Sequence, residues 1–137
     1  MHSYKSLVAW QRASNLCLAT LEAVDQSWRA NAAAVFDQLR RAAVSVDVNI
    51  VEGYALNTVP LFRHHLRIAL ASAAEAERLL EICAARGYLD SAATQRLKPL
   101  ADATLSALFG LLRSPRLRQE PRRRPPPLTA HRSREGS

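Results

Sequence analysis

Residues 36–54 read FDQLRRAAVSVDVNIVEGY, in which apolar side chains recur every three or four positions. This spacing predicts a helix, because residues three and four apart lie on the same side of one. The most apolar side carries Leu39, Ala43, Val46 and Ile50. A stripe this narrow is typical of a helix in a bundle, and we expect these four side chains to form part of a core.

The sequence on either side predicts three more helices, joined by short connections. The expected bounds are residues 6–26 for the first helix, 31–53 for the second, 58–87 for the third and 91–113 for the fourth. The candidate N-caps are Asn31 for the second helix, Thr58 for the third, and either Asp90 or Ser91 for the fourth. Gly87 is the candidate C-terminal glycine of the third helix. Short connections force neighbouring helices to be antiparallel. The sequence therefore predicts an all-α fold, an antiparallel up-down-up-down four-helix bundle over residues 1–113.

The first and fourth helices carry their own candidate core stripes. The expected core residues of the first helix are Leu7, Trp10, Cys17, Leu21 and Val24. Those of the fourth are Leu97, Ala101, Thr104, Leu108 and Leu111. Pro99 lies inside the fourth helix, where a proline lacks the backbone donor. We expect it to kink that helix or to delay its start.

Composition changes at Ser114, and the basic charge is concentrated beyond it. Residues 114–137 hold five prolines, two Glu and seven Arg, among them Arg122, Arg123 and Arg124, for a net charge of +5. Residues 1–113 carry 12 Lys+Arg and 10 Asp+Glu, a net charge of only +2. A segment with so few apolar residues is typical of a disordered tail. The high charge therefore argues little for nucleic-acid binding by the bundle itself.

The motifs of common enzymes and metal sites are missing from the sequence. It contains no glycine-rich phosphate loop and no Gly-x-Ser-x-Gly. His64 and His65 are adjacent, so they point about 100° apart on a helix and cannot share a metal. Cys17 and Cys83 form no metal motif, and we expect both to be buried, reduced thiols. We expect no catalytic residue, no metal and no cofactor, and a cytoplasmic protein.

The second and third helices carry more apolar residues than one core stripe needs. The surplus residues are Val44, Val48, Val51, Leu61, Ile68 and Leu79. A broad core face could absorb them, or they could form a contact between subunits. Large exposed apolar patches are rare on monomers. The second reading is therefore favoured, and these six are the candidate oligomer-interface residues.

A polar row lies between the two apolar sides of the second helix. It consists of Gln38, Arg41, Ser45, Asn49 and Glu52. Their spacing of three, four, four and three residues places them on one side. Polar groups with apolar neighbours are usually hydrogen-bonded. We expect the row to be structural, with bonds inside one bundle or between bundles.

Residues 36–54 resemble the signature of a bacterial family of four-helix-bundle proteins encoded in intervening sequences of large-subunit ribosomal RNA genes. Other segments resemble the family in the same order, namely residues 4–13 with their Trp-Gln pair, 61–69, 72–77 and 87–89. The resemblance covers about residues 3–113. Two departures are that Tyr54-Ala55-Leu56 stands where the family often has a Gly-Arg pair, and that Ala71 replaces a usual glycine.

The resemblance implies a homopentamer built around an axis. It also implies distant similarity to accessory proteins of diversity-generating retroelements, which resemble basic pentameric barrels that bind nucleic acid. The candidate nucleic-acid-binding residues are Arg40, Arg41, Arg63 and Arg67 on the helices, with Arg122, Arg123 and Arg124 in the tail. The alternative is a scaffold that binds a protein partner. Salt separates the two, because phosphate binding weakens steeply with ionic strength.

Overall fold

The computed structural model describes residues 3–117, and within them it contains four α-helices and no β-strand. The helices are α1 (Val8–Ser27), α2 (Ala33–Leu56), α3 (Val59–Ala85) and α4 (Ser91–Leu112). Short 3₁₀ helices lie at Tyr4–Ser6, Ala30–Ala32 and Pro115–Leu117. The predicted all-α four-helix fold is confirmed. The tail arginines Arg122, Arg123 and Arg124 lie outside the described residues.

Contacts between α1 and α2 show that the two helices are antiparallel. The indole Nε1 of Trp10, near the start of α1, donates to Asp47 Oδ1 in the second half of α2 at 2.8 Å. Asp25, near the end of α1, accepts from Arg40 in the first half of α2 at 2.9 Å. Helix α1 also packs against α4, which closes the four helices into a bundle.

The predicted caps of α3 and α4 are confirmed. The Thr58 hydroxyl accepts from the Leu61 amide at 3.4 Å, and the Asp90 carboxylate accepts from the Ala93 amide at 2.8 Å. Asp90, not Ser91, is therefore the cap of α4. Gly87 has φ +69°, the left-handed conformation that glycine adopts without strain at the end of a helix.

The expected cap of α2 at Asn31 is wrong. Residues Ala30–Ala32 form a 3₁₀ turn, and α2 begins at Ala33 with no side-chain cap. Backbone carbonyls replace the cap: the Ala32 amide donates to the Arg29 carbonyl at 3.1 Å, and the Ala33 amide to the Ala30 carbonyl. A tight turn leading into a helix satisfies donors that Asn31 was expected to satisfy.

Pro99 does not delay α4, which begins at Ser91 and continues through the proline to Leu112. The helix α2 runs three residues beyond the expected end at Gly53. It stops where Asn57 takes φ 55°, a left-handed conformation that Asn tolerates. Residues in the left-handed conformation therefore follow the ends of α2 and α3, and α4 is not interrupted at Pro99.

The core confirms the stripe of α2 and corrects that of α1. Leu39, Ala43, Val46 and Ile50 are completely buried. In α1 the buried residues are Ala9, Ala13, Leu16, Cys17, Thr20, Ala23 and Val24, while Leu7, Trp10 and Leu21 are only partly buried. Small alanines therefore form much of the buried side of α1. The sequence prediction relied on large apolar side chains at helical spacing, so it did not find these alanines.

The two cysteines are buried free thiols, as expected. Burial raises the pKa of both, and the Asp47 carboxylate raises the pKa of Cys17 further. A raised pKa keeps a thiol protonated and unreactive. As for membranes, none of the helices within residues 3–117 has both the length and the hydropathy needed to cross a bilayer.

Glu77 of α3 and Asp102 of α4 form a carboxyl pair. The pKa of Glu77 is raised, first by a hydrogen bond with Asp102, then by burial and by repulsion from Asp102 and Glu81, while Lys98 opposes the shift. The folded chain thus binds a proton at Glu77 more tightly than the unfolded chain does. This linkage stabilises the fold as the pH falls through the folded pKa, and the stabilisation is absent at neutral pH.

Glu77→Gln should therefore raise the melting temperature at pH 7 and flatten its dependence on pH between 7 and 4. We expect a gain of about 1–3 °C, because solvent screens a pair that is only partly buried. Circular-dichroism melts across this range measure the effect, with Glu22→Gln as a control on an exposed carboxylate of α1. A Glu77→Gln profile parallel to that of the unchanged chain contradicts the pairing.

Candidate interface along α2 and α3

Hydrogen bonds join the polar row of α2 to side chains of α3. Ser45 Oγ lies 2.8 Å from Ser72 Oγ, which links the two helices directly. Asn49 Nδ2 donates to the Ser45 carbonyl at 2.9 Å and to Ser45 Oγ at 3.0 Å. All three side chains are partly buried, so their polar atoms form hydrogen bonds with each other in place of hydrogen bonds with bulk water.

His65 continues this chain of bonds toward the α2–α3 turn. Its Nδ1 lies 3.0 Å from Asn49 Oδ1 and 3.7 Å from Glu52 Oε2. Since the Asn49 oxygen can only accept, the network assigns the hydrogen to Nδ1. The imidazole is only 16% exposed, so Asn49 holds it in place between the helices.

The other end of the row also reaches α3. Gln38 Nε2 donates to Glu75 Oε1, and Arg41 donates to Gln38 Oε1 at 2.8 Å. We call the whole set the polar seam, which comprises Gln38, Arg41, Ser45, Asn49 and Glu52 of α2 with His65, Ser72 and Glu75 of α3. As α2 residue numbers rise along it, α3 numbers fall, so these helices are antiparallel.

Gly53 lets the two helices approach at the end of the seam. A Cβ at this position would lie 2.7 Å from His65 Cβ and 3.2 Å from Phe62 Cδ2. Real Cβ atoms essentially never come so close to another carbon. The absence of a side chain at Gly53 therefore sets the helix separation at which His65 meets Asn49.

Apolar side chains remain exposed beside the seam. Their exposed fractions are 39% for Val44, 43% for Val48, 42% for Leu61 and 37% for Ile68. We call these four residues the exposed α2–α3 face. On α2 the valines immediately precede Ser45 and Asn49, and on α3 the other two lie within about one turn of His65. The face therefore flanks the seam.

Val51 and Leu79, which were expected on the same surface, are partly buried instead. Leu79 packs against the core cluster that includes Leu80. Val51 follows the buried Ile50 by one residue, a rotation of about 100°, which brings it to the edge of the core. The candidate interface is therefore narrower than the six residues expected from sequence.

A shallow groove of about 360 Å³ runs beside the seam on α2. It is lined by Arg40, Arg41, Val44, Ser45, Val48 and Asn49. The two valines supply apolar walls, while Ser45 and Asn49 supply polar atoms. Such a surface suits a partner that offers both apolar and hydrogen-bonding groups.

Two of the candidate nucleic-acid-binding arginines are engaged within the chain. Arg40 pairs with Asp25 at 2.9 Å and with Asp37 at 3.6 Å. Arg63 is partly buried. It donates to the carbonyls of Leu112 at 3.1 Å and Leu117 at 2.7 Å.

The position of Arg63 has a simple electrostatic cause. The last carbonyls of a helix have no partners within it and attract a cation. Arg63 therefore closes the C-terminal end of α4 and fastens residues Pro115–Leu117 to α3. With its guanidinium bonded to these carbonyls, Arg63 offers less to a phosphate than a free exposed arginine does.

Arg41 and Arg67 are exposed, and neither forms an ion pair within residues 3–117. Two acidic residues of α3 have other partners. Glu75 accepts from Gln38, and Glu81 pairs with Arg78 at 2.8 Å. Of the four helical candidates, Arg41 and Arg67 are therefore the two that a phosphate could reach.

Sequence reasoning found the α2 side of the seam but not its α3 partners. His65, Ser72 and Glu75 are spaced seven and three apart, a spacing that places them on one side of a helix. This spacing is the signal by which the α3 partners could have been found. Among the described residues, no three His, Cys, Asp or Glu side chains gather as metal ligands would.

A family model described as 23S rRNA-intervening sequence protein matches residues 5–110. The matched region contains all four helices except the last two residues of α4, and it includes the whole polar seam. A search of curated proteins finds no match.

Proposed function

The chain belongs to the family of 23S rRNA-intervening sequence proteins, and from this premise we propose that it acts as a non-enzymatic, self-associating four-helix bundle. The observation that carries the proposal is the exposed α2–α3 face. Its four apolar side chains are each about two-fifths exposed in the single chain. Burying the exposed part of each against another copy gains on the order of 1 kcal/mol.

The seam gives this contact its polar component. A second copy of the chain offers both kinds of group that the groove beside Val44 and Val48 requires, since it carries the same valines and the same amide and hydroxyl groups. The resemblance described above supplies the number five. We therefore propose a homopentamer in the cytoplasm, with one such face on every copy.

Light scattering coupled to size exclusion at micromolar concentration tests the assembly. Five chains of 15.2 kDa give about 76 kDa. A mass of 15.2 kDa at this concentration overturns the proposal. A stable assembly of another size keeps the contact and corrects the number.

A second candidate function is weak nucleic-acid binding through phosphate contacts. The exposed Arg41 and Arg67 favour it, together with the seven arginines of residues 114–137. An assembly repeats each arginine in every copy, and phosphate affinity grows with the number of cations that reach the backbone together. The tail carries most of this charge, so we assign it the larger share of the affinity.

Removing residues 118–137 should therefore weaken binding to structured RNA and flatten its salt dependence. The truncation keeps Pro115–Leu117, because Arg63 holds the Leu117 carbonyl and Leu117 is buried. It removes six of the seven tail arginines. For every phosphate that is no longer neutralised, the slope of log affinity against log salt should fall by about 0.7–0.9.

Arg67→Ala is the comparison, and it should have a smaller effect than the truncation. Filter binding from about 50 to 200 mM salt measures both. If the full-length chain binds no RNA at the lowest salt, the nucleic-acid function fails. The alternative, a scaffold that binds a protein partner, then replaces it.

A further inference from the structure

Three aromatic rings meet at the end of the bundle where the α1–α2 and α3–α4 connections lie. The ring centroid of Phe36 is 6.0 Å from that of Trp28 and 6.2 Å from that of Tyr88. Phe36 is completely buried and belongs to the core, but Trp28 is 46% exposed. An indole in this position has one part packed on protein and another open to solvent.

Three arginines lie against these rings. The guanidinium of Arg40 lies 4.8 Å from the centroid of Trp28. Those of Arg29 and Arg86 lie 5.9 and 5.8 Å from the centroid of Tyr88. We call Trp28, Tyr88, Arg29, Arg40 and Arg86 the Trp28 cluster.

The arginines of this cluster differ in their charge partners. Arg40 is neutralised by Asp25 and Asp37, and it steadies the indole. Arg29 donates to the Gly87 carbonyl at 3.3 Å, and neither Arg29 nor Arg86 forms an ion pair within residues 3–117. Two exposed positive charges therefore lie beside Tyr88, which contacts the same buried Phe36 as the exposed Trp28 does.

We propose that the Trp28 cluster binds single-stranded nucleic acid, with a base stacked on the open part of Trp28 and phosphates held by Arg29 and Arg86. This proposal deepens the nucleic-acid function above and rests on it. Aromatic residues beside arginines are the usual platform for unpaired bases, because every base has a face to stack and every nucleotide a phosphate. Bases inside a duplex are already stacked, so the cluster should discriminate against duplexes.

Tryptophan fluorescence of the full-length chain tests the stacking directly, with an oligouridylate of about 20 nucleotides as the probe. The chain has two tryptophans, Trp10 and Trp28. Oligouridylate should quench the unchanged chain, and Trp10→Phe should keep the quenching. Trp28→Phe, which retains a ring at the position, should lose it. If Trp10→Phe does not fold, the comparison of the unchanged chain with Trp28→Phe decides alone.

Affinity measurements use Trp28→Leu and the double variant Arg29→Gln with Arg86→Gln. At about 150 mM salt we expect Trp28→Leu to lose about tenfold in affinity for oligouridylate and nothing for an RNA duplex of equal length. The double variant should weaken single-strand binding severalfold. The charge-matched control is Arg12→Gln with Arg78→Gln, two exposed positions on α1 and α3. It should have a smaller effect, and circular dichroism checks that each variant is folded.

Several results overturn the proposal. Equal quenching in Trp28→Phe places the base elsewhere, and equal losses for single strand and duplex exclude stacking. Quenching by polyglutamate of the same length means that the cluster recognises acidic protein instead. If Trp28→Leu binds oligouridylate normally while the truncation after residue 117 does not, the Trp28 cluster is not the binding site, but the proposed nucleic-acid function stands. If the unchanged chain binds neither oligouridylate nor the RNA duplex at low salt, the proposed site and the proposed nucleic-acid function both fail.

Discussion

Replacing Gly53 by valine should lower the free energy of unfolding by about 3 kcal/mol. Even the first carbon of the new side chain would lie 2.7 Å from His65 Cβ. That atom is fixed to the backbone of α3, so it cannot turn away as the end of a long side chain would. The helices must separate, and the contact between His65 and Asn49 must lengthen. Urea unfolding followed by circular dichroism measures the loss.

Gly110 offers a matched control within the same bundle. It lies exposed in α4, and a Cβ there would meet nothing within 4 Å. Gly110→Ala should therefore stabilise the protein by about 0.5–1 kcal/mol through helix propensity alone. Gly53→Ala has the same propensity gain but should still destabilise by about 1–2 kcal/mol. If both alanine variants stabilise equally, the close approach at Gly53 is not a constraint.

Val48→Glu should dissociate the proposed pentamer and leave the bundle folded. Val48 is 43% exposed in the single chain, so a carboxylate there can reach water in the monomer. In an apolar contact between copies the same carboxylate loses its hydration, which costs several kcal/mol. The mass from light scattering should fall from about 76 kDa to 15.2 kDa while the helical signal stays the same.

Leu18→Glu is the control for this change. Leu18 is 63% exposed on α1 and is not one of the residues of the exposed α2–α3 face, so its replacement should not alter the mass. Two outcomes count against the proposed contact. If the Val48 variant unfolds, Val48 belongs to a core and not to a contact between copies. If the mass is unchanged, the contact between copies lies elsewhere on the bundle.

Local chemistry explains which parts of the fold were predictable. The caps at Thr58 and Asp90 and the turn at Gly87 depend on neighbours within a few residues, so the sequence contains the whole interaction. The α2 stripe was equally clear, because large apolar residues mark it. The α1 stripe was not clear in this way. Ala9 and Ala13 are small, and whether small residues are buried depends on the neighbouring helices.

The same distinction applies to the candidate site. The polar row of α2 is visible as a spacing, and its place beside α3 follows from the fold. The role of Arg63 is different, because its partners Leu112 and Leu117 are about fifty residues away. No spacing rule connects an arginine with a distant helix end. The Trp28 cluster likewise joins two connections that only the closed bundle brings together.

The polar seam also limits how the length of this chain can change. One residue inserted between Asn49 and Gly53 would rotate everything beyond it by about 100° around α2. Gly53 would turn away from His65, and a larger side chain would take its place against α3. Substitutions on the outer side of α2 leave this register intact. We therefore expect the bundle to tolerate insertions and deletions only in the connections between helices, and a change of length in α2 to require a matching change in α3.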